Sequence, residues 1–395
     1  MDGSGPPPPR PARPLLERLG LRYLAARAAA RPMARTDDAA HVLDAGERAA
    51  MVRVTRGAVL RAALTGACSA GVAAAAEVGA EPLLPADAGL LSTAALPYWG
   101  VVGGVTLVAS IAEILFVYWD TLRSVHELAH VSGVDAFGTE RPGDEALAVA
   151  LARAALELPN PVTHATGVNP HREANRWRLL AISLAYKAKI GVTSFVLKML
   201  VRRILGRVAV RSVVGALVPF VAVPVTAAWN AIVSYKVVRE ARIRAMGPSA
   251  IDEALGTILA APEGAEALGP EGRLAVVRAV GAAIVRTEDL HPNLACLLEG
   301  VRTRVGLSGA PLDALDDVPA FLGALPALPE RDRRTTLRVL ALALALDGRV
   351  SWREARLFRQ AVEAAGVTAD PRAPERVRGA FVAGDGIAHD VLAAI

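Results

Sequence analysis

The segment PYWGVVGGVTLVASIAEILFVYW, residues 97–119, decides how the rest of the chain is read. Its only charged residue is Glu113; Tyr98 and Trp99 mark one end, and Tyr118 and Trp119 the other. About 20 residues rising ~1.5 Å each match a hydrocarbon core of ~30 Å, and paired aromatic belts belong where headgroups meet acyl chains. A membrane-crossing helix is therefore expected. Upstream, residues 57–78 form a second apolar segment rich in Ala and Gly, and no Lys or Arg occurs between Arg61 and Arg123. The link between the segments carries Glu81, Pro82, Pro85 and Asp87 but no cation. By the positive-inside rule this link is the exported side, with both hairpin ends in the cytoplasm. Arg61 is placed to snorkel to the interface. Gly100 and Gly104 make a GxxxG step, and Gly66 and Gly71 thin the other segment, so close approach of the two helices is expected. A carboxylate in hydrocarbon is costly. Glu113 is read either as a functional group, part of a transport or pore element, or as a protonated acid hydrogen-bonded to a neighbouring helix.

The 395 residues leave room for two or three domains. Hydrophobic residues make up 53% and aromatics only 4%, a mixture of Ala, Leu and Val that suits helix packing better than a β-sandwich. The net charge of +5 is carried mainly by Arg, because the only lysines are Lys187, Lys189, Lys198 and Lys236. With apolar segments beside the charges and no aromatic-rich strands to stack bases, an anionic membrane is favoured over nucleic acid. Cys68 and Cys296 provide no disulfide framework and are expected as small buried hydrophobes. Residues 1–14 are Pro-rich, are expected to be disordered, and do not resemble a cleaved signal; both termini are expected in the cytoplasm.

Residues 15–50 form an amphipathic segment in which Leu15, Leu19 and Tyr23 share a stripe beside Arg18 and Arg22. Such a helix suits either a membrane surface or a dock on its own protein. Residues 51–246 form the membrane-associated core. It includes a short helix at 145–158, ended by Pro159 and Pro161, and an interfacial helix at 177–205 bearing Lys187, Lys189 and Lys198. Residues 212–235 are uncharged with Pro219 and Pro224 inside, and basic residues at both ends favour a re-entrant hairpin over a single span. From 247 to 395 charges become frequent and a soluble helical domain is expected. There, a helix at 337–345 ends at Asp347 and Gly348, and Ser351 with Glu354 makes a capping box opening a helix at 352–365. No comparable strand pattern occurs, so the fold class is all-α.

His126, Glu127 and His130 make an HExxH motif. On a helix the two imidazoles lie one turn apart and can share a zinc ion while the Glu polarises its water. With Asp135 downstream and apolar segments on both sides, the motif resembles membrane zinc proteases of the HtpX type. That resemblance implies a third ligand on a helix after the later apolar pair, where Glu240 stands. No acidic residue follows Glu240 at that family's spacing, no β-rich segment precedes the motif, and the metzincin third-ligand position is Ala136. His164 and His171 are the other available imidazoles in the following connection. Val125, Leu128 and Ala129 equally describe the apolar face of a helix leaving the membrane.

Residues 56–246 resemble the EcsC-like family of bacterial membrane-associated proteins. The likeness rests on the small-residue hairpin, the run from Glu113 through Tyr118, Asp120, His126 and Ala129 to Gly133 and Asp135, the Lys-bearing helix, and Gly215 to Asn230. It implies membrane association without an established reaction. The run from Leu344 to Glu354, within a hairpin near 333–367, resembles the TerB-like helical domain, which carries an acidic Asp-Gly turn and a Glu on the next helix, sometimes linked to metal. Asp347 and Glu354 match those positions, and capping explains both as well. Phosphate loops, dinucleotide fingerprints and CxxC pairs are absent. The expected protein is a non-enzymatic, all-helical scaffold in a bacterial cytoplasmic membrane. It needs no cofactor, contacts lipid, meets protein partners through its C-terminal domain and is able to self-associate. A zinc peptidase using His126, Glu127, His130 and Glu240 is the alternative.

Overall fold

The computed structural model describes residues 14–30, 39–83, 92–134, 144–158, 160, 167–172, 220–260, 268–308 and 314–395. The expected helix at 177–205, Pro219 and His164 lie outside the described residues. The described residues form twelve α-helices: α1 Leu15–Ala30, α2 Ala45–Ala80, α3 Leu96–Val131, α4 Asp144–Ala155, α5 Ala222–Ala260, α6 Pro270–Thr287, α7 Pro292–Arg304, α8 Val318–Ala324, α9 Glu330–Ala343, α10 Trp352–Ala365, α11 Ala373–Ala383 and α12 His389–Ala393. No strand occurs among the described residues; one isolated bridge joins Val42 to Asp385. The chain is all-α.

Helices α2 and α3 are long and apolar enough to cross a membrane. Each has 36 residues, roughly 54 Å at ~1.5 Å per residue, so each extends well past its apolar segment. The lower turns carry the polar groups. A capping box starts α2: Asp44 Oδ1 accepts from the Glu47 amide at 2.7 Å, and the Asp44 amide donates to Glu47 Oε2 at 2.9 Å. In α3, Pro97 sits in the first turn, where its missing N–H has no partner to lose.

The bundle is completed by the first half of α5, with α2 packed against both α3 and α5. Ala58, Ala62, Gly66, Ala70 and Ala74 of α2 recur every fourth residue and are all buried. Small side chains on one stripe let the backbones of neighbouring helices approach closely. A Cβ on Gly66 would stand 2.9 Å from the Thr226 carbonyl and 2.7 Å from Asn230 Nδ2, so this glycine admits α5. The expected GxxxG contact is not made among the described residues: a Cβ on Gly100 or Gly104, or on Gly71, would meet none of them within 4 Å. The helix spacing is set on the α5 side instead.

The apolar stretch at 212–235 is described only from 220 onward, and there it is one helix. Pro224 falls in the first turn of α5, where it costs no hydrogen bond. The helix continues unbroken through Gly247 and Pro248 to residue 260. Gly247 leaves room for Asn293 of α7, whose Nδ2 donates to the Ile243 carbonyl at 3.0 Å and the Leu346 carbonyl at 2.8 Å. The second half of α5 is thereby bound into the C-terminal unit.

That unit is built around α6, where Ala275 to Val277 and Ala279 to Val285, Gly281 included, are buried on every side. A helix apolar all round belongs in the middle of a core, and α7, α8, α9 and α10 contact it. A Cβ on Gly281 would overlap the Leu315 carbonyl, so glycine is what lets the turn at 314–317 lie against α6. Phe321, Phe358 and Phe381 close the core. Helix α10 opens on the expected capping box, with the Ser351 amide donating to Glu354 Oε2 at 2.6 Å, and stops at Gly366 with φ 62°.

Helix α1 docks on the protein through Glu17, Gly20 and Leu24, with an ion pair to Arg153 and a close fit against Leu122, Ala152 and Leu156, and leaves Leu15 and Leu19 exposed. Two sequence expectations need correction. Cys68 and Cys296 are exposed, since each sits on the outer face of its helix. The helix at 145–158 ends at Ala155, followed by a turn with Glu157 at φ 52°.

Candidate functional site

Three polar constellations interrupt the apolar helices. The first lies at the lower end of the α2–α3 pair. Arg61 does not snorkel outward: its Nε donates to Asp120 Oδ1 at 2.6 Å and its guanidinium also reaches Ser124 Oγ at 3.2 Å. Asp120 is almost fully buried and Arg61 about one-third exposed, so the pair spans the helix interface at the edge of the apolar layer. A buried carboxylate beside the cation on the opposite helix fixes the register of the two, since sliding either would strand a charge.

The second constellation is Glu113. It is buried, and Oε1 accepts a hydrogen bond from Asn230 Nδ2 of α5 at 2.8 Å. The expected bond to a neighbouring helix is thus present, and the neighbour is α5. Asn230 also stands over Gly66, so the three helices meet at one polar knot inside the apolar layer.

The third is the HExxH motif, on the last turns of α3. His126, Glu127 and His130 are half-buried, and Glu127 Oε1 accepts from Arg123 Nε at 2.8 Å. Glu240 is not brought to them. It accepts from Arg244 Nε at 2.9 Å and lies 3.0 Å from His291 Nε2. Among the described residues no three His, Cys, Asp or Glu side chains converge as a metal-ligand set. Glu240 is claimed by α7 because α5 is rotated by its packing on Asn293 and on α4, where Arg244 also donates to the Ala150 carbonyl at 2.8 Å.

Glu240 instead lines a cleft of about 540 Å³ at the joint between bundle and C-terminal unit. Trp229, Lys236 and Arg244 of α5 form one wall; His291, Asp347, Arg349 and Glu354 form the other. The Asn293 amide donates to His291 Nδ1 at 3.2 Å, and His291 Nε2 faces Glu240 Oε1. Burial alone would raise the Glu240 carboxyl, but the hydrogen bond and charge of His291, followed by Arg244, hold it at about 2. Asp347 behaves oppositely: burial first, then the neighbouring Glu354 charge, push it up to about 7, against the pull of the Arg349 amide. Glu354 is engaged on both oxygens, by Thr287 Oγ1 at 2.9 Å and by the Ser351 amide. The matched Asp347 and Glu354 therefore serve the turn and the cap. Across the cleft, the Glu240–His291 contact joins α5 to the C-terminal unit.

A clasp on the opposite side does similar work. The Leu43 amide donates to the Gly384 carbonyl at 2.8 Å, Arg48 pairs with Asp385 at 2.7 Å, and Glu253 lies between His41 at 3.0 Å and His389 at 2.6 Å. Burial depresses the His41 pKa, partly opposed by Glu253. Sequence reading missed the clasp and the Asp120 and Asn230 contacts. The available signal was a polar residue at an inward position of each apolar helix.

No family model, curated protein or solved structure matches the chain.

Proposed function

We propose that the protein is a non-enzymatic, membrane-anchored helical scaffold whose α2–α3 hairpin and the first half of α5 sit in lipid, with the C-terminal unit presented on the cytoplasmic side of a bacterial inner membrane. The observation that carries this reading is the outer surface of the bundle. Among the described residues, Leu64, Val72, Leu107, Val108, Ile111, Leu115 and Ile232 are exposed on the outer surface of the bundle. Soluble proteins rarely leave a contiguous apolar surface of this extent uncovered. Burial within the chain is only 33% for the apolar window of α2 and 22% for that of α3, whereas a soluble core helix would be mostly covered.

The polar groups agree with that placement. Cations at Arg61 and Arg123 stand at one end of the layer, the described part of the link at 81–83 carries Glu81 and no cation, and the C-terminal unit attaches at the cationic end. The clasp and cleft bind that unit tightly to the helices, which suits a platform that holds a partner at the membrane. The EcsC-like and TerB-like resemblances support the same role, and the lipid-facing helices are the means of anchoring.

Alkaline carbonate extraction followed by flotation tests the anchor. The full chain should stay with the vesicles and float. Release by carbonate, or a monodisperse protein without detergent, would contradict the reading.

A further inference from the structure

Helix α1 carries two faces that do different work. Its inner face is fully used: Leu24 joins the core formed with Leu122, Val125 and Leu151, Gly20 lies against Leu122 and Leu156, and Glu17 pairs with Arg153. Its outer face is Leu15, Arg18, Leu19 and Arg22, spaced i, i+3, i+4 and i+7 on one side of the helix and flanked by Leu16, and all five are exposed. Neither Arg18 nor Arg22 makes an ion pair among the described residues.

Docking fixes the height of this face. Helix α1 crosses α3 at Leu122, one turn beyond Trp119, whose ring lies 5.9 Å from the Arg123 guanidinium carbon. Tyr23 of α1 is partly buried in the same cluster as Tyr118, and Arg27 lies over the Tyr23 ring at 5.7 Å. An aromatic and arginine belt of this kind marks the boundary between acyl chains and headgroups. The outer face of α1 is therefore continuous with the apolar exterior of the bundle, at its cationic edge.

We infer that α1 is a headgroup-level strap that binds anionic lipid. Leu15, Leu16 and Leu19 enter the acyl boundary while Arg18 and Arg22 engage lipid phosphates. The inference rests on the membrane reading above and adds a lipid preference to it. Leucines alone would favour any bilayer, and a second protein would have to match the same alternation of apolar and cationic side chains. Two arginines among the leucines complement an anionic leaflet.

The test uses the full chain with Cys68→Ser and Cys296→Ser and one bimane label, at Leu16→Cys or Leu107→Cys. The protein is reconstituted into phosphatidylcholine vesicles, with or without phosphatidylglycerol, containing nitroxide lipids. The label at 107 should be quenched in both lipids. The label at 16 should be quenched at least about twofold more with the anionic lipid, and Arg18→Gln with Arg22→Gln should remove that gain. Quenching at 107 but not at 16 would overturn the strap and spare the anchor. Quenching at 16 that ignores lipid charge would overturn the anionic preference. Energy transfer between labels at 16 on two molecules would identify a second copy as the occupant and overturn the proposal. Loss of quenching at both positions would remove the anchor itself.

Discussion

Residues 222–235 and 250–259 belong to one helix, α5, yet they face different surroundings. In the first stretch Trp229 is 53% and Ile232 50% exposed; in the second Ile251 is 2% and Leu255 0% exposed. Both stretches are mainly apolar, although the second carries Asp252 and Glu253, so apolar content alone does not separate them. Orientation does. The second half turns its large side chains into the core around α6, while the first turns them outward and seals its inner side with alanine and glycine from α2. Burial of apolar area from water stabilises the C-terminal unit; among the described residues the bundle leaves its large apolar side chains exposed, where the proposed membrane would cover them. Small residues inside and large ones outside is the reverse of a water-soluble bundle.

The sharpest way to break this contrast is to place the same charge on each side. Leu340→Asp puts a carboxylate in the closed core of α9 and should cost more than about 4 kcal/mol, unfolding the C-terminal unit as seen by near-ultraviolet circular dichroism. Leu107→Asp on the outer face of α3 should leave that signal intact and lower vesicle insertion by about 3 kcal/mol. Equal loss of the C-terminal fold in both would erase the distinction.

Next in size is the ion pair at the layer's edge. Arg61→Met leaves Asp120 buried without its cation and should destabilise the hairpin by about 3 kcal/mol, read from thermal unfolding in detergent. The double variant with Asp120→Leu should recover most of that loss. An unchanged melting temperature in Arg61→Met would mean that the pair does not set the register.

Asp347 gives a pH-dependent test in the C-terminal unit. Its carboxyl is raised to about 7 in the folded protein, against an ordinary value of 3.8. The folded state therefore holds the proton more tightly. Stability linked to Asp347 is full below about pH 4 and is lost as pH rises through 7. Asp347→Asn, which can still accept from the Arg349 amide, should be more stable than the parent at pH 8, on the order of 2 kcal/mol, and nearly equal at pH 4. A gain that is the same at both values would assign the effect to something other than this proton.

The smallest contrast compares glycines within the bundle. Gly66→Ala must displace Asn230 and should cost about 1 kcal/mol. Gly104→Ala has open space and should change stability by less than about 1 kcal/mol, in the favourable direction expected for alanine in a helix. Chemical denaturation in mild detergent separates the two signs.

The helical class was legible because residues 97–119 and the capping box at Ser351 are local signals, set within one or two turns of chain. The α10 boundaries follow from Ser351 and Gly366 alone. What escaped notice depends on long-range partners. Gly247 and Pro248 look like a break until Asn293, far along the chain, fills the space beside them. Arg61 looks like an interfacial cation until Asp120 is placed opposite. The GxxxG at 100–104 matched a packing motif, but the alanines spaced every fourth residue on α2 formed the contact. On α1, the leucine stripe was visible; which face would dock was not, because Gly20 and Leu24 are decided by Leu122 and Leu156. Likewise Glu240 suited a ligand by order in the chain, and its real neighbours, His291 and Arg244, are set by how α5 is rotated.

The account stands or falls on whether the outer face of α3 touches acyl chains. Spin labels placed singly at Val101, Val108, Ile111 and Leu115 in reconstituted vesicles, with power saturation by oxygen and by a polar nickel chelate, measure this directly. All four should be accessible to oxygen and shielded from nickel, with a label at Val42, below the bundle, showing the reverse. Nickel accessibility at the four α3 positions equal to that at Val42 would contradict the account.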